Sequence, residues 1–409
     1  MDWYTAATAL EKLRQKSGTD AAINQVPSLP ANIQKYFDDM FPAGMAQILQ
    51  DFDYGDLPSA CNSAHNPDGG WDCNWSNAQA FMAYSGSAVD FYTANDWTDV
   101  QADVDNALAF TADPANGDPK AMRFMQPQFG SLSTWSSIGN SNYHALTLSF
   151  RQRLKTLLLD FNYTFAHSLD DASGLQAEGA YGNNSGGNGA FIVNSLRQRE
   201  NYASSDFDVK HSINADFVWQ VPIGRGQAFL GNVGKGADAL FGGWQLSSII
   251  RWNTGLPTGV SPFDESSWAT SWEVQSNTTP TSSVHSCPNK AKNTAPKIFG
   301  GCDVTAIYQS MRNAYPGESG PRNYLRYPGY FDLDLGLSKS FKMPWEGHQL
   351  TLRWDVFNVT NTQSLTGIVD FSVVADPGLT QQTPPADWGN LFQIQGQPRV
   401  MQIGARYSF

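Results

Sequence analysis

Between Tyr143 and Phe409 the chain keeps returning to alternating apolar and polar residues, and this two-residue period restricts its fold more than any other feature. "HALTLSFRQR" opposes Leu146, Leu148 and Phe150 to Ala145, Thr147, Ser149 and Arg151. After a short "RLK" turn, "TLLLDFNYTFAHS" opposes Leu157, Leu159, Phe161, Tyr163 and Phe165 to Leu158, Asp160, Asn162, Thr164 and Ala166, so the two read as a hairpin. "SINADFVWQV" sets Ile213, Ala215, Phe217, Trp219 and Val221 against Ser212, Asn214, Asp216 and Gln220. "WQLSSIIRWN" sets Trp244, Leu246, Ile250 and Trp252 against Gln245, Ser247, Arg251 and Asn253. "YFDLDLGLSKSF" sets Phe331, Leu333, Leu335 and Leu337 against Asp332, Asp334, Gly336 and Ser338. "QLTLRWDVFN" sets Leu350, Leu352, Trp354 and Val356 against Thr351, Arg353 and Asp355. The terminal "VMQIGARYSF" sets Met401, Ile403, Ala405, Tyr407 and Phe409 against Val400, Gln402, Gly404, Arg406 and Ser408. Each segment is near the roughly 9–11 residues that cross a bilayer as a tilted strand.

A soluble sandwich would alternate in the same way, so the connections carry the decision. In order they run short (154–155), long (169–210), medium (222–243), long (256–329), short (342–348) and long (359–398). Shorter and longer alternate throughout, as in an outer-membrane barrel with brief periplasmic turns and extended external loops. Aromatic residues then gather at both ends of the apolar band: Trp219, Trp244, Phe341, Tyr407 and Phe409 toward the rim of the shorter turns, Tyr163, Phe165, Trp252 and Phe331 toward the other. That arrangement predicts two interfacial girdles. The middle of the apolar faces carries no Lys, Arg, Asp or Glu. Stretches such as "EGAYGNNSGGNGA" and "SNTTPTSSVHS" suit functional external loops.

Composition agrees. Charged residues are 16% of the 409, below the roughly 25% of a soluble domain, and aromatics reach 13%. The net charge of −12, without a basic stripe, provides no footprint for nucleic acid. No stretch approaches the run of about 18 apolar residues that a membrane helix needs, which leaves a barrel open. The N-terminal "MDWYTAATALEKLRQKSG" lacks the basic and apolar regions of a signal peptide. Residues 1–140 have near-helical spacing and read as an extracellular loop-like region with short helices, and residues 141–409 as barrel strands with long external loops.

Four cysteines fall into two local pairs, Cys61 with Cys73 and Cys287 with Cys302. Zinc-type spacing is absent, so two loop-closing disulfides in an oxidising compartment are expected, against four free thiols. Candidate catalytic groups are few. "HSLDDAS" brings His167, Ser168, Asp170, Asp171 and Ser173 together, but adjacency at a strand end more simply gives an exposed loop with side-chain-to-backbone hydrogen bonds. "GNVGKGAD" fails as a phosphate loop, because Phe229 stands where its first Gly belongs and Gly236 where Ser or Thr should follow Lys235; a turn is expected. Asp332 and Asp334 share a strand face and fit a polar lumen better than a carboxylate pair, and "NPDGGWDCN" lacks the EF-hand spacing for calcium. Neither enzyme activity nor a cofactor or metal is expected.

Several stretches together resemble the C-terminal barrel region of Oar-like TonB-dependent outer-membrane transporters. They are "PQFGSLSTWSSIGNSNYHALTLSFRQR", "LDFNYTFAHSLDDAS", "SDFDVKHSINADFVWQVPIGRG", "FGGWQLSSIIRWNTGLP", "GPRNYLRYPGYFDLDLGLSKSF", "LRWDVFNVTNTQ" and "GQPRVMQIGARYSF", in the family's order from about residue 120 to the end. Gln402, Gly404, Tyr407 and Phe409 also resemble the terminal signal read by the barrel-assembly machinery. The resemblance implies an all-β, antiparallel transmembrane barrel of about 22 strands, of which this chain is the C-terminal part. It also implies energised uptake of a ligand, gated by a plug and a TonB box that this sequence lacks. The expected partners are therefore outer-membrane lipid, the assembly machinery, and TonB only through a missing N-terminal part. A non-transporting outer-membrane adhesin or structural barrel, and a secreted soluble β-rich binding module, are the alternatives.

Overall fold

Alternation at period two becomes one continuous antiparallel sheet. In the computed structural model, residues 1–17, 19–40, 62–65, 71–72, 75–79, 81–82, 137–173, 197–262, 277–289, 295–312, 314–368, 372–373 and 383–409 are described. The sheet strands are β1 (Ser141–Arg153), β2 (Leu157–Asp170), β3 (His211–Gln220), β4 (Trp244–Asn253), β5 (Tyr330–Lys342), β6 (Gln349–Phe357) and β7 (Val400–Ser408). They pair in sequence order as an up-and-down meander, and the two-residue strand Ala203–Ser204, paired to the end of β2, is the eighth member of the sheet. Among the described residues β1 and β7 do not pair with each other, so this is an open wall rather than a closed barrel.

The register joins the apolar faces into one surface. Leu148 lies opposite Tyr163, Tyr163 opposite Ile213, Ile213 opposite Trp252, and Trp252 opposite Phe331. A second row runs Leu157, Trp219, Leu246, Leu337, Trp354, Ile403. A one-residue slip at any ladder would throw a strand's apolar set to the other face, so the continuous apolar surface on one side and polar pairing on the other hold the register. Because neighbouring strands are antiparallel, the connections 154–156, 221–243 and 343–348 gather at one end, here called lower, and 171–210, 254–329 and 358–399 at the upper end.

The upper connections have a core of their own. Val260, Ile298, Phe299, Tyr308, Met311, Leu325, Trp388 and Leu391 are buried together, drawn from the β4–β5 and β6–β7 connections. Trp388 stacks on Phe299 at 5.4 Å and meets Tyr308 edge-on at 5.1 Å. Backbone bonds from Ile298 N–H to Gly389 O (2.9 Å) and Leu391 N–H to Pro296 O (2.7 Å) knit the two loops. The Cys287–Cys302 disulfide, with Cα atoms 6.0 Å apart, closes the same region.

At the N-terminus, α1 (Trp3–Ser17), α2 (Thr19–Ile23) and α3 (Ala31–Met40) bury Trp3, Leu10, Val26 and Phe37 against Phe81 and Met82. Trp3, Ala6, Ala7 and Leu10 recur at the three- and four-residue spacing that puts them on one helix face. This unit touches the β4–β5 connection, where Thr8 Oγ1 donates to Pro316 O (3.3 Å) and Lys12 sits 5.1 Å from the Tyr315 ring.

Candidate functional site

The two faces of the wall differ chemically. Leu146, Leu148, Phe150, Leu352, Trp354, Met401 and Ile403 all stand on the apolar face and are exposed, Ile403 at 83%. The opposite face is a hydrogen-bonded polar surface. Arg151 pairs with Asp160 at 2.6 Å, Ser149 Oγ donates to Asn162 Oδ1 at 2.7 Å, and Arg353 pairs with Asp355 at 2.7 Å. Asp332 faces Arg251 at 3.6 Å, and Asp334 accepts the Asn358 N–H at 2.9 Å. Water-soluble chains rarely leave an apolar patch beyond a few hundred Å² (roughly) uncovered. Here the ion pairs cover the polar side and no core of the described residues covers the other.

Aromatic clusters mark both rims. At the lower end, Tyr407 Oη is 2.5 Å from His348 Nδ1, and Phe409 stacks on the same imidazole at 6.2 Å. Trp345 lies 5.9 Å from it, and Trp219, Trp244 and Phe341 occupy the same end of the apolar face. At the upper end His211 is the centre: Phe165, Tyr163 and Trp252 lie 5.1, 6.1 and 6.5 Å from it, and Tyr163 Oη is 2.8 Å from its Nδ1. Amphipathic rings at both edges of an apolar band suit the levels where acyl chains meet headgroups.

Above the upper rim the "HSLDDAS" residues are drawn into an ionic clasp. Ladder pairing of Ser141 with Asp170 extends β2 as far as Asp170, and Asp170 and Asp171 are buried rather than in an exposed loop. The cause is the β4–β5 connection. Arg322 donates to Asp170 O at 2.6 Å and to the Asp170 carboxylate. Arg326 donates to Asp208 O (2.9 Å), to Gly255 O (3.0 Å) and to the Asp208 carboxylate. Ser168 N–H donates to Asp208 Oδ1 at 2.7 Å, His167 Nδ1 lies 3.3 Å from Asp208, and Ser168 Oγ bonds Ser205 Oγ at 2.8 Å. Burial pushes the Asp208 carboxyl up, but the Ser168 N–H and the Arg326 guanidinium outweigh it and hold the group below the usual carboxylate range. His167 and Ser168 are each engaged with other partners, which makes the cluster a tether of loop to wall. Gly255 is required there: a Cβ would lie 1.8 Å from Tyr327 O.

An apolar face without protein cover, girdled at both rims and backed by a polar face, is how a strand-built wall meets lipid. Residues 64–402 match the outer membrane beta barrel domain. The chain belongs to that family. No curated protein matches it. The barrel domain therefore resides in the outer membrane, where an apolar face without protein cover suits contact with lipid.

The remaining sequence candidates take definite places in the barrel domain. Tyr407 and Phe409 lie in the lower aromatic cluster, Gln402 opposite Asp355, and Gly404 opposite Arg353. A Cβ on Gly404 would meet nothing within 4 Å, so packing in the wall does not require glycine there. Trp252 is at the upper rim, Trp219, Trp244 and Phe341 at the lower. Cys287 and Cys302 are bonded, while Cys61 and Cys73 lie outside the described residues, as does most of the "NPDGGWDCN" stretch. "GNVGKGAD" is a turn that runs into a helix, α4 (Lys235–Phe241). The residue that pattern reading passes over is Lys339. It follows Leu337 on the lipid-facing row, directly opposite Trp244, yet its ammonium is buried against the end of α4. Arg322 and Arg326 are equally invisible as site residues, because their carboxylate partners lie more than a hundred positions away.

Proposed function

We propose that this wall is part of a TonB-dependent transporter barrel for the energised uptake of a ligand, with the plug and the TonB contact contributed by polypeptide outside these residues. The observation that carries the reading is the open meander with a charged, ion-paired inner face. An unpaired strand edge in hydrocarbon leaves backbone groups unsatisfied, so β1 and β7 both call for further strands. Barrels of about 8 strands fill their interior with side chains, whereas those of about 22 enclose a lumen wide enough for a plug. An inner face built of Arg, Asp, Asn, Ser and Thr suits the wider, hydrated case.

In this reading the upper loop unit, held to the wall by the clasp, is the outward ligand-facing surface. Gln402, Gly404, Tyr407 and Phe409 are the terminal signal for the assembly machinery, and the freedom around Gly404 supports a role in recognition rather than packing. The test is the in-frame nucleotide sequence upstream of Met1. Further alternating strands, a plug and a TonB box are expected there. A stop codon directly followed by a functional start at Met1 would refute the transporter reading.

A further inference from the structure

The lower connection between β3 and β4, residues 221–243, is tightly built yet turns its large apolar side chains outward. Gly224 N–H donates to Phe229 O (2.9 Å), Phe229 N–H to Pro222 O (3.0 Å) and Gly226 N–H to Gly231 O (3.0 Å). Asp238 accepts the Arg225 N–H at 2.6 Å through its carboxylate and the Gly242 N–H at 2.8 Å through its carbonyl. Inside this frame Phe229, Leu230, Leu240 and Phe241 remain exposed, Leu240 at 68% and Phe241 at 54%. Leu230 adopts φ +56°, a left-handed conformation uncommon for a large side chain.

Two side chains fix which side of the wall α4 occupies. Trp244 Nε1 donates to Leu240 O at 3.1 Å, and Lys339 Nζ donates to Leu240 O at 3.2 Å and Gly242 O at 2.5 Å. The Lys339 ammonium also lies 4.7 Å from the Trp244 ring centre and 5.1 Å from that of Phe341. All three of these residues belong to the lipid-facing row, so the end of α4 is pinned on the lipid side at the lower rim, continuous with the girdle. A cation on that row is satisfied by carbonyls and rings, which lets it stand beside lipid. The exposed Arg225 and Lys235 are the connection's cations, and its one carboxylate, Asp238, is already engaged.

We propose that residues 225–241 form an interfacial anchor that binds phospholipid of the periplasmic leaflet. Leu240 and Phe241 enter the boundary between headgroups and acyl chains, Arg225 and Lys235 face the lipid phosphates, and Lys339 is the clamp that holds the anchor to the wall. The shorter connections of an outer-membrane barrel are periplasmic, which makes a phospholipid the occupant. The inference rests on the barrel wall and not on transport.

The test uses the complete outer-membrane protein that contains this chain, folded into vesicles of phosphatidylethanolamine and phosphatidylglycerol, in a Cys61→Ser, Cys73→Ser background. Nitroxide labels are carried in turn at Leu240→Cys, Phe241→Cys, Leu148→Cys and Arg353→Cys, and their exposure to oxygen and to a water-soluble nickel chelate is measured. Labels at 240 and 241 are expected to be shielded from nickel and open to oxygen, at a shallower depth than 148, while 353 reads water. If 240 and 241 read water while 148 reads bilayer, the anchor is overturned and the wall stands. If 148 also reads water, the wall fails and the anchor with it. Lys339→Met should raise the mobility of the label at 240 and lose its depth; unchanged spectra would remove Lys339 as the clamp.

Discussion

Replacing Arg326 with Met should open the upper clasp while leaving the wall in place. The guanidinium supplies bonds to Asp208 O (2.9 Å), to Gly255 O (3.0 Å) and to the Asp208 carboxylate, whose side chain is only 1% exposed. Removing one partner of a buried ion pair costs roughly 3–5 kcal/mol, because the other charge stays behind without compensation. Asp208 would keep the Ser168 N–H at 2.7 Å and His167 at 3.3 Å, which places the site at the low end, about 3 kcal/mol. At about 1.4 kcal/mol per tenfold, amide exchange in the clasp should accelerate on the order of a hundredfold. The amides to follow are Ser205 N–H, bonded to Ser168 O at 3.0 Å, and Asp208 N–H, bonded to Ser205 O at 2.9 Å.

The pH dependence separates lost charge pairing from lost packing. Asp208 is held below its usual range, so its contribution to stability is complete above the unfolded value of about 3.9 and is lost as pH falls through the lower folded value. Without Arg326 burial dominates and the folded pKa moves up, so the deficit of the variant is largest at neutral pH and shrinks on acidification through the carboxylate range. Arg353→Met is the control: that pair has its Arg side chain 63% exposed and should cost under about 1 kcal/mol. Unchanged exchange at Ser205 and Asp208 in the Arg326 variant, or a loss that is the same at every pH, would refute the reasoning.

Leu148→Arg or Leu335→Arg should impair membrane insertion, at about 2–4 kcal/mol for a midplane cation, while Ser149→Arg on the polar face should insert normally; equal yields of folded protein in liposomes would contradict the assignment of faces. Deleting Phe409 should lower the amount of heat-modifiable, assembled barrel, and Gly404→Ala should do so without destabilising the wall already formed; normal assembly in both would remove the terminal signal. Gly255→Ala places a Cβ within 1.8 Å of Tyr327 O, so the ladder of Pro257–Thr258 with Leu325–Arg326 should separate and the β4–β5 connection become cleavable by protease. A wild-type cleavage pattern would show that the backbone relaxes around the added methyl.

The sequence by itself determined the strands and their faces. Period two is a local property, so Leu146, Leu148 and Phe150 declare one side of β1 without reference to anything distant, and all seven expected segments are strands of the wall, within two residues at their ends except β1, which starts three residues earlier, at Ser141. The hairpin of β1 and β2 also follows from its short connection, and the alternation of loop lengths sorts the two ends. Tertiary structure alone decided what closes in space. Arg322 and Arg326 meet Asp170 and Asp208 across more than a hundred residues, and no spacing rule connects a loop arginine to a particular carboxylate that far away. The same holds for Phe81 completing the helical core around Trp3 and Phe37, and for Trp388 packing on Phe299. Lys339 shows the limit most clearly. Its position on the apolar row is written in the period, but whether a cation there is an unpaired charge in lipid or the clamp of a helix depends on where the carbonyls of Leu240 and Gly242 come to rest. Alternation specifies which way a side chain points; only the folded chain specifies what it meets.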